Sequence, residues 1–275
     1  MPIFETPGSV VLEIRLPAGH VTVKSGDEPK TDVELVARGR RGEEAIEQIE
    51  VSARDQPGGH VVSIEQRDRF RWGPISINWG SDVEVRITCP AGADLDFDGA
   101  SADLSASGRF GKVAAKTASG DLHLGEIAGR LQVKTASGDV SVQTIETDSA
   151  LNSVSGDVEI DRVEAALAAR TVSGDIEIGL VRAPLVLATT SGDVAVRAVE
   201  DGEVRIQTVS GDARVGVAQG TAVWMDAVSV SGDLRSELGV TDEVPSGTDE
   251  DVVPLHVKTV SGDVSFIRAA LSSAG

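Results

Sequence analysis

The sequence predicts an all-β fold: a parallel β-solenoid (β-helix) of about nine 18-residue coils with an irregular, mainly-β N-terminal cap. Three observations carry this expectation. The tripeptide Ser-Gly-Asp begins at Ser119, Ser137, Ser155, Ser173, Ser191, Ser210, Ser231 and Ser261, at steps of 18, 18, 18, 18, 19, 21 and 30 residues. A worn copy, Ser101-Ala102-Asp103, lies 18 residues before Ser119 and makes nine registers, the signature of a repeat architecture. Aromatic residues are only 3% of the chain, with no Tyr, which suits a narrow core of Val, Ile, Leu and Ala.

Within one repeat, counting Ser as the first position, the fourth is Leu104, Leu122, Val140, Val158, Ile176, Val194, Ala213, Leu234 or Val264. The sixth is mostly apolar too: Leu124, Val142, Ile160, Ile178, Val196, Val215, Phe266. Residues two apart face the same side of a strand. A second apolar pair follows half a repeat later, as in Val113/Ala115, Leu131/Val133, Leu167/Ala169 and Leu185/Leu187. Two short strands and two corners therefore fill a coil, and each apolar column is expected to stack on itself in chain order, about 4.8 Å per step. A lone coil cannot bury its inner side chains, so stability comes from neighbours.

The corner has a local logic. Glycine permits a positive φ at a sharp bend. Asp and Ser side chains bond turn amides. Two residues before each Ser stands a hydroxyl: Thr117, Thr135, Ser153, Thr171, Thr189, Thr208, Ser229 or Thr259. The carboxylates Asp121, Asp139, Asp157, Asp175, Asp193, Asp212, Asp233 and Asp263 are therefore expected to form a structural turn ladder beside a hydroxyl ladder.

The domain division expected is a mainly-β cap over residues 1–95 and the repeat solenoid over 96–275. In the cap, Val10–Leu16 alternates as a strand ended by Pro17-Ala18-Gly19, and Val83–Thr88 is a second strand leading into Cys89-Pro90-Ala91-Gly92. Between them lie strand candidates at Asp32–Ala37, Ile49–Ala53 and His60–Gln66, while Glu43–Gln48 suits a helical turn or a strand. A cap is needed because an open terminal coil exposes unpaired strand edges. Its Arg67, Arg69, Arg71, Trp72 and Trp79 stand out in an acidic, aromatic-poor chain. They form the candidate partner-binding cluster, against the alternative of a hairpin whose rings plug the core. Extra length falls near Gln219–Trp224, and the acidic stretch Gly239–Pro254 reads as a loop leaving the stack.

The formal charge of −19 divides unevenly: residues 1–95 carry 16 acidic and 11 basic side chains, the remainder 28 and 14. Such a surface repels nucleic acid and anionic lipid, and it keeps a stackable β surface dissolved. One cysteine, Cys89, excludes an intrachain disulfide. With no secretion signal at the N-terminus and no apolar run of membrane-spanning length, the expected location is the cytoplasm. Monomer or weak self-association is expected.

No catalytic constellation, metal set or cofactor motif emerges. His20, His60, His123 and His256 lack metal-ligand spacing, and His123 falls at an outward position. Glu159, Asp161 and Glu177 should share one outer face, as paired glycosidase carboxylates would, but without an aromatic sugar platform. Calcium β-rolls also use 18-residue coils, yet here the Gly-Asp corner comes once per coil rather than twice.

The pattern Thr-Val-Ser-Gly-Asp-Val/Ile, as at Thr171–Ile176 and Thr259–Val264, together with the lead-in Val83–Gly92, resembles a bacterial β-strand-repeat family of unknown function labelled "putative adhesin". The resemblance covers roughly residues 80–268. It implies a β-solenoid with a binding or surface-associated role and no assigned catalytic residues. The expected function is thus a non-catalytic, adhesin-like module for an unknown protein or glycan. The alternative is a bactofilin-like cytoplasmic scaffold that self-associates, and a lesser one is a calcium-binding β-roll.

Overall fold

The computed structural model describes residues 2–37, 39–66, 83–239 and 252–269. The Arg67–Trp79 cluster and most of the Gly239–Pro254 loop lie outside the described residues. The protein is an all-β parallel solenoid, and its chain forms two compact units, Met1–Ser141 and Val142–Gly275.

The first unit holds β1 (Ile3–Glu5), β2 (Ser9–Gly26), β3 (Lys30–Ala37), helix α1 (Gly39–Ile46), β4 (Ile49–Gln56), β5 (Gly59–Gln66), β6 (Val83–Pro90), β7 (Asp94–Phe110), β8 (Val113–Lys116), β9 (Leu122–Ile127) and β10 (Leu131–Lys134). Long strand β2 is a coil in its own right. It runs parallel to β7 from Val11↔Asp94 to Lys24↔Ser107. The two halves of β7 then carry β8 and β9, and β8 carries β10, all parallel. On the other flank of β2, β5 pairs with Ser9–Arg15 and β6 with His20–Gly26, again parallel. Residues 1–95 therefore contain solenoid coils as well as a cover. The cover is antiparallel: β4 lies on β5, β3 on β6, and β1 on β3. Pro17-Ala18-Gly19 does not end a strand, contrary to the sequence expectation. The strand turns the corner there, with Gly19 at φ 123°, where a Cβ would meet the Val83 carbonyl at 2.7 Å. Glu43–Gln48 resolves in favour of helix, since α1 ends at Ile46.

Strand β11 (Val140–Ile145) has residues on both sides of the division. The second unit continues with β12 (Ser149–Asn152), β13 (Val158–Val163), β14 (Leu167–Arg170), β15 (Ile176–Arg182), β16 (Leu185–Ala188), β17 (Val194–Asp201), β18 (Val204–Gln207), β19 (Ala213–Val217), β20 (Ala222–Ser231), β21 (Leu234–Ser236), β22 (Val252–Ser261) and β23 (Val264–Arg268). Every second strand pairs in parallel: β12 with β14 with β16 with β18, and β13 with β15 with β17 with β19. The register superposes the apolar columns, for example Val158↔Ile176↔Val194. These three are each 1% exposed.

After β19 the stack departs from chain order, which corrects the sequence expectation. Strand β18 pairs with β22 and β19 with β23, whereas β20 and β21 pair with the far sides of β22 and β23. The coil of Ser261 thus lies inside the coil of Ser231. Burial explains the exchange. The inner coil contributes Leu255, Val257, Val264 and Phe266, all at most 4% exposed. Facing them from the outer coil are Met225, Ala227, Leu234 and Ser236, a smaller and more polar set. Placing the richer coil inside buries more apolar surface. Leu234 is accordingly 53% exposed, so the fourth position is not buried in every register.

The reason for glycine at the corner also differs from the one expected. None of the Ser-Gly-Asp glycines has a positive φ. Close stacking demands them instead: a Cβ at Gly138 would lie 1.9 Å from the Gly120 carbonyl oxygen, at Gly174 2.1 Å from that of Gly156, and at Gly192 2.0 Å from that of Gly174. The obstructing atom is backbone in each case, so no rotamer change relieves the clash.

Two outcomes test this packing. Gly174→Ala should destabilise the protein by at least about 2–3 kcal/mol in urea unfolding, as overpacking does. Gly26→Ala, where nothing lies within 4 Å of an added Cβ, should leave the midpoint nearly unchanged. Val158→Asp should cost more than about 3 kcal/mol by leaving an unpaired charge in the core.

Candidate functional site

The repeated corner is built from three kinds of hydrogen bond. First, the buried hydroxyl two residues before Ser accepts from the glycine amide of its own turn: Gly120 N–H to Thr117 Oγ1 at 2.9 Å, Gly156 N–H to Ser153 Oγ at 3.0 Å, Gly192 N–H to Thr189 Oγ1 at 3.0 Å. This closes the turn much as a capping hydroxyl closes a helix end. Second, the Ser amide donates to a backbone carbonyl of the adjacent coil, as Ser173 to Val154 and Ser191 to Val172, both within 2.9 Å. Third, Asp amides of the corner donate to the carboxylate of the Asp in the neighbouring coil. The Asp121 N–H reaches Asp103 Oδ1 at 3.0 Å and Asp139 N–H reaches Asp121 Oδ1 at 3.0 Å. In the second unit Asp175 reaches Asp157, Asp193 reaches Asp175, Asp212 reaches Asp193, Asp263 reaches Asp212 and Asp233 reaches Asp263, all at 2.8 Å. The order Asp212, Asp263, Asp233 repeats the exchanged coil order. At this junction Thr208 and Thr259 Oγ1 are buried without a partner. The Gly211 and Gly262 amides turn instead to the Ser261 and Ser231 carbonyls.

The ladder places like charges one coil apart, and the interleaved amides offset their repulsion. Among the described residues no group of three or more His, Cys, Asp or Glu side chains is arranged to hold a metal ion.

The outer acidic face is organised by arginine. Glu159 and Glu177 are register partners. Arg197 joins both, Nε to Glu177 Oε1 at 2.6 Å and Nη2 to Glu159 Oε1 at 3.0 Å. One guanidinium thus holds two carboxylates of similar exposure. Arg182 bridges Glu164 and Glu200 in the same manner, one coil to each side. These pairs are half-exposed, and their value lies in register more than in stability.

Two of the four histidines, His20 and His123, line one open groove with Glu84, Asp103 and Asp121. His20 Nδ1 lies 2.9 Å from Asp103 Oδ2, His60 Nδ1 lies 2.8 Å from Asp55 Oδ1, and His123 is exposed. His256 sits in another mixed cluster, with Glu203, Asp226 and Trp224 around it. The sequence reading missed this group, because its members come together only through the exchanged coil order. Cys89 is buried, and burial pushes its thiol up to about 12.

Two measurements follow from this geometry. Asp175→Ala should cost about 1 kcal/mol by stranding the Asp193 amide, while Asp175→Asn, which keeps an acceptor, should cost less. The Cys89 thiol keeps its proton in the folded protein up to about pH 12, whereas the unfolded thiol loses it near 9.0. Stability should therefore fall between those values by about 1.4 kcal/mol per pH unit. Cys89→Ala should remove that slope in unfolding titrations.

Comparison with known proteins gives the family. A "Putative lipid binding protein" from Parabacteroides distasonis ATCC 8503 is 12% identical, with 96% of this chain and 94% of that one covered and a TM-score of 0.47. A "putative adhesin" from the same organism is 14% identical, with 95% and 92% covered and a TM-score of 0.45. A "putative adhesin" from Parabacteroides merdae ATCC 43184 is 12% identical, with 95% and 92% covered and a TM-score of 0.45. No curated protein matches. The family model described as Toastrack DUF4097 matches residues 11–267, nearly the whole length, so the chain belongs to that family.

Proposed function

We propose that this protein is a non-catalytic, adhesin-like binding module that engages a protein or glycan through the outer surface of its coils. The observation that carries the reading is how the titratable side chains are spent. The carboxylates closest to an acid–base pair are both held by Arg197, and the one thiol is buried with its proton. Apolar surface, by contrast, remains exposed in a row beside the Ser-Gly-Asp corner: Val154, Val172, Val209 and Val260 are 46–49% exposed. Ordered apolar side chains in the open are a feature of contact surfaces. The Asp ladder is read as structural, since the Oδ1 atoms of Asp121, Asp157, Asp175, Asp193, Asp212 and Asp263 each accept from an amide. The Arg67, Arg69, Arg71, Trp72 and Trp79 contact is proposed on composition alone. The net charge of −19 directs the module away from nucleic acid.

One observation favours the scaffold alternative. Strand β20 pairs only with β22 among the described residues, and Val230 and Leu234 of the outermost coil are 76% and 53% exposed. An unprotected edge of this kind templates association, while the net charge opposes it.

The test is surface-plasmon binding against arrays of glycans and of surface proteins, with sedimentation velocity at low and high salt. The module predicts saturable binding, ligand recovered chemically unchanged, and a monomer at both ionic strengths. Turnover of a bound ligand would refute the non-catalytic reading. Polymers appearing as salt screens the charge would put the scaffold in its place.

A further inference from the structure

The outer face of the last three coils carries an exposed tryptophan, Trp224, beside a group of charged and polar side chains. Register places Arg205, His256 and Asp226 in one row across β18, β22 and β20, and Trp224 beside Pro254 in the row before but one. The next row but one holds Gln207, Lys258 and Val228. Alternation along β22 buries Val253, Leu255 and Val257, so Pro254, His256 and Lys258 face outward. An open groove of about 310 Å³ runs over this face, lined by Arg205, Ile206, Gln207, Asp226, His256 and Lys258.

Three features give the groove a chemistry. Trp224 is 54% exposed. Its ring meets His256 edge-on, with centroids 5.2 Å apart and planes at 69°. That contact steadies the indole, and no described strand covers the other flank of β20. One cation of the groove is held in an ion pair and another is not. Arg205 Nη2 pairs with Glu203 Oε1 at 2.7 Å. His256 stands between Glu203, at 3.3 Å from Nε2, and Asp226, at 3.5 Å from Nδ1. Lys258 is exposed and has no ion-pair partner among the described residues, in a chain of net charge −19. Finally, Trp224 and Lys258 are offset by four residues along neighbouring strands, about 13 Å, which is longer than one sugar ring.

We propose that this face binds an acidic oligosaccharide. One pyranose ring stacks its C–H face on Trp224, where the negative ring face attracts the positively polarised hydrogens. Hydroxyls of the next ring meet the fixed donors and acceptors of Arg205, Asp226 and Gln207. A carboxylate or sulfate reaches Lys258. A fixed aromatic anchor flanked by a few convergent polar groups is the usual composition of a ligand site, and the steadied indole lowers the ordering cost of binding. The proposal rests on the binding-module reading and narrows it to one ligand class and one surface.

Affinity gel electrophoresis of the full chain tests it, with polygalacturonate, dextran sulfate or neutral dextran cast in the gel. Retardation by the uronate or the sulfated polymer, but not by dextran, is expected, and the responding polymer identifies the acid. Trp224→Ala should weaken it about tenfold. Lys258→Met, which keeps the stem and removes the charge, should weaken it several-fold. Thermal melts should show both variants folded. Retardation by neither acidic polymer overturns the proposal, as does equal retardation of Trp224→Ala and the parent. Binding to dextran unaffected by Lys258→Met also overturns it. If the protein array still finds a ligand that Trp224→Ala retains, the binding-module reading stands and this site alone falls.

Discussion

Backbone packs directly on backbone at the Ser-Gly-Asp corner, and the remainder of the solenoid follows from that contact. At about 4.8 Å between coils the turn leaves no room for a Cβ, and the distances of 1.9–2.2 Å from an imagined Cβ to the carbonyl below state the exclusion directly. With glycine in place, each turn presents an amide and a carbonyl that neighbouring groups must satisfy. The buried hydroxyl two residues before Ser takes the glycine amide. The carboxylate of the preceding coil takes the Asp amide. Thr, Ser, Gly and Asp at fixed spacing are therefore one physical unit.

The same stacking that builds the core concentrates negative charge. Columns of identical residues bring like charges within one coil of each other, and a chain with 44 acidic and 25 basic side chains feels this strongly. The molecule answers in two ways. At the corner, backbone amides sit between successive carboxylates. On the strand faces, single arginines span two glutamates, as Arg197 and Arg182 do. Such surface pairs add little stability singly. Not every cation is so engaged: Lys258 has no ion-pair partner among the described residues.

The exchanged order of the last two coils shows burial overriding chain order. A connection between β21 and β22 long enough to step back over a coil permits it. The gain is that Phe266, Val264, Leu255 and Val257 lie between two layers rather than under one. The exchange leaves traces in the hydrogen bonds: Thr208 and Thr259 lose the glycine amides that their counterparts hold. It also assembles the Trp224–His256 face, whose members are separated by 32 residues in the chain.

The fold class was legible in the sequence because an 18-residue period is a one-dimensional record of a one-dimensional stack. Apolar residues two apart named the inward columns, and Val158, Ile176 and Val194 lie there. What the period could not record is which coil touches which: a step of 30 residues between Ser231 and Ser261 is equally compatible with stacking in order or with stepping back. Only competition for burial among all neighbouring coils decides that. The glycine column was visible, but its cause was not. A single repeat suggests a bend needing positive φ, whereas the actual constraint comes from the coil beneath. For the same reason Cys89, His256 and Trp224 said nothing as isolated letters. Their partners and exposure are set by strands far away in sequence, which the tertiary structure alone brings into register.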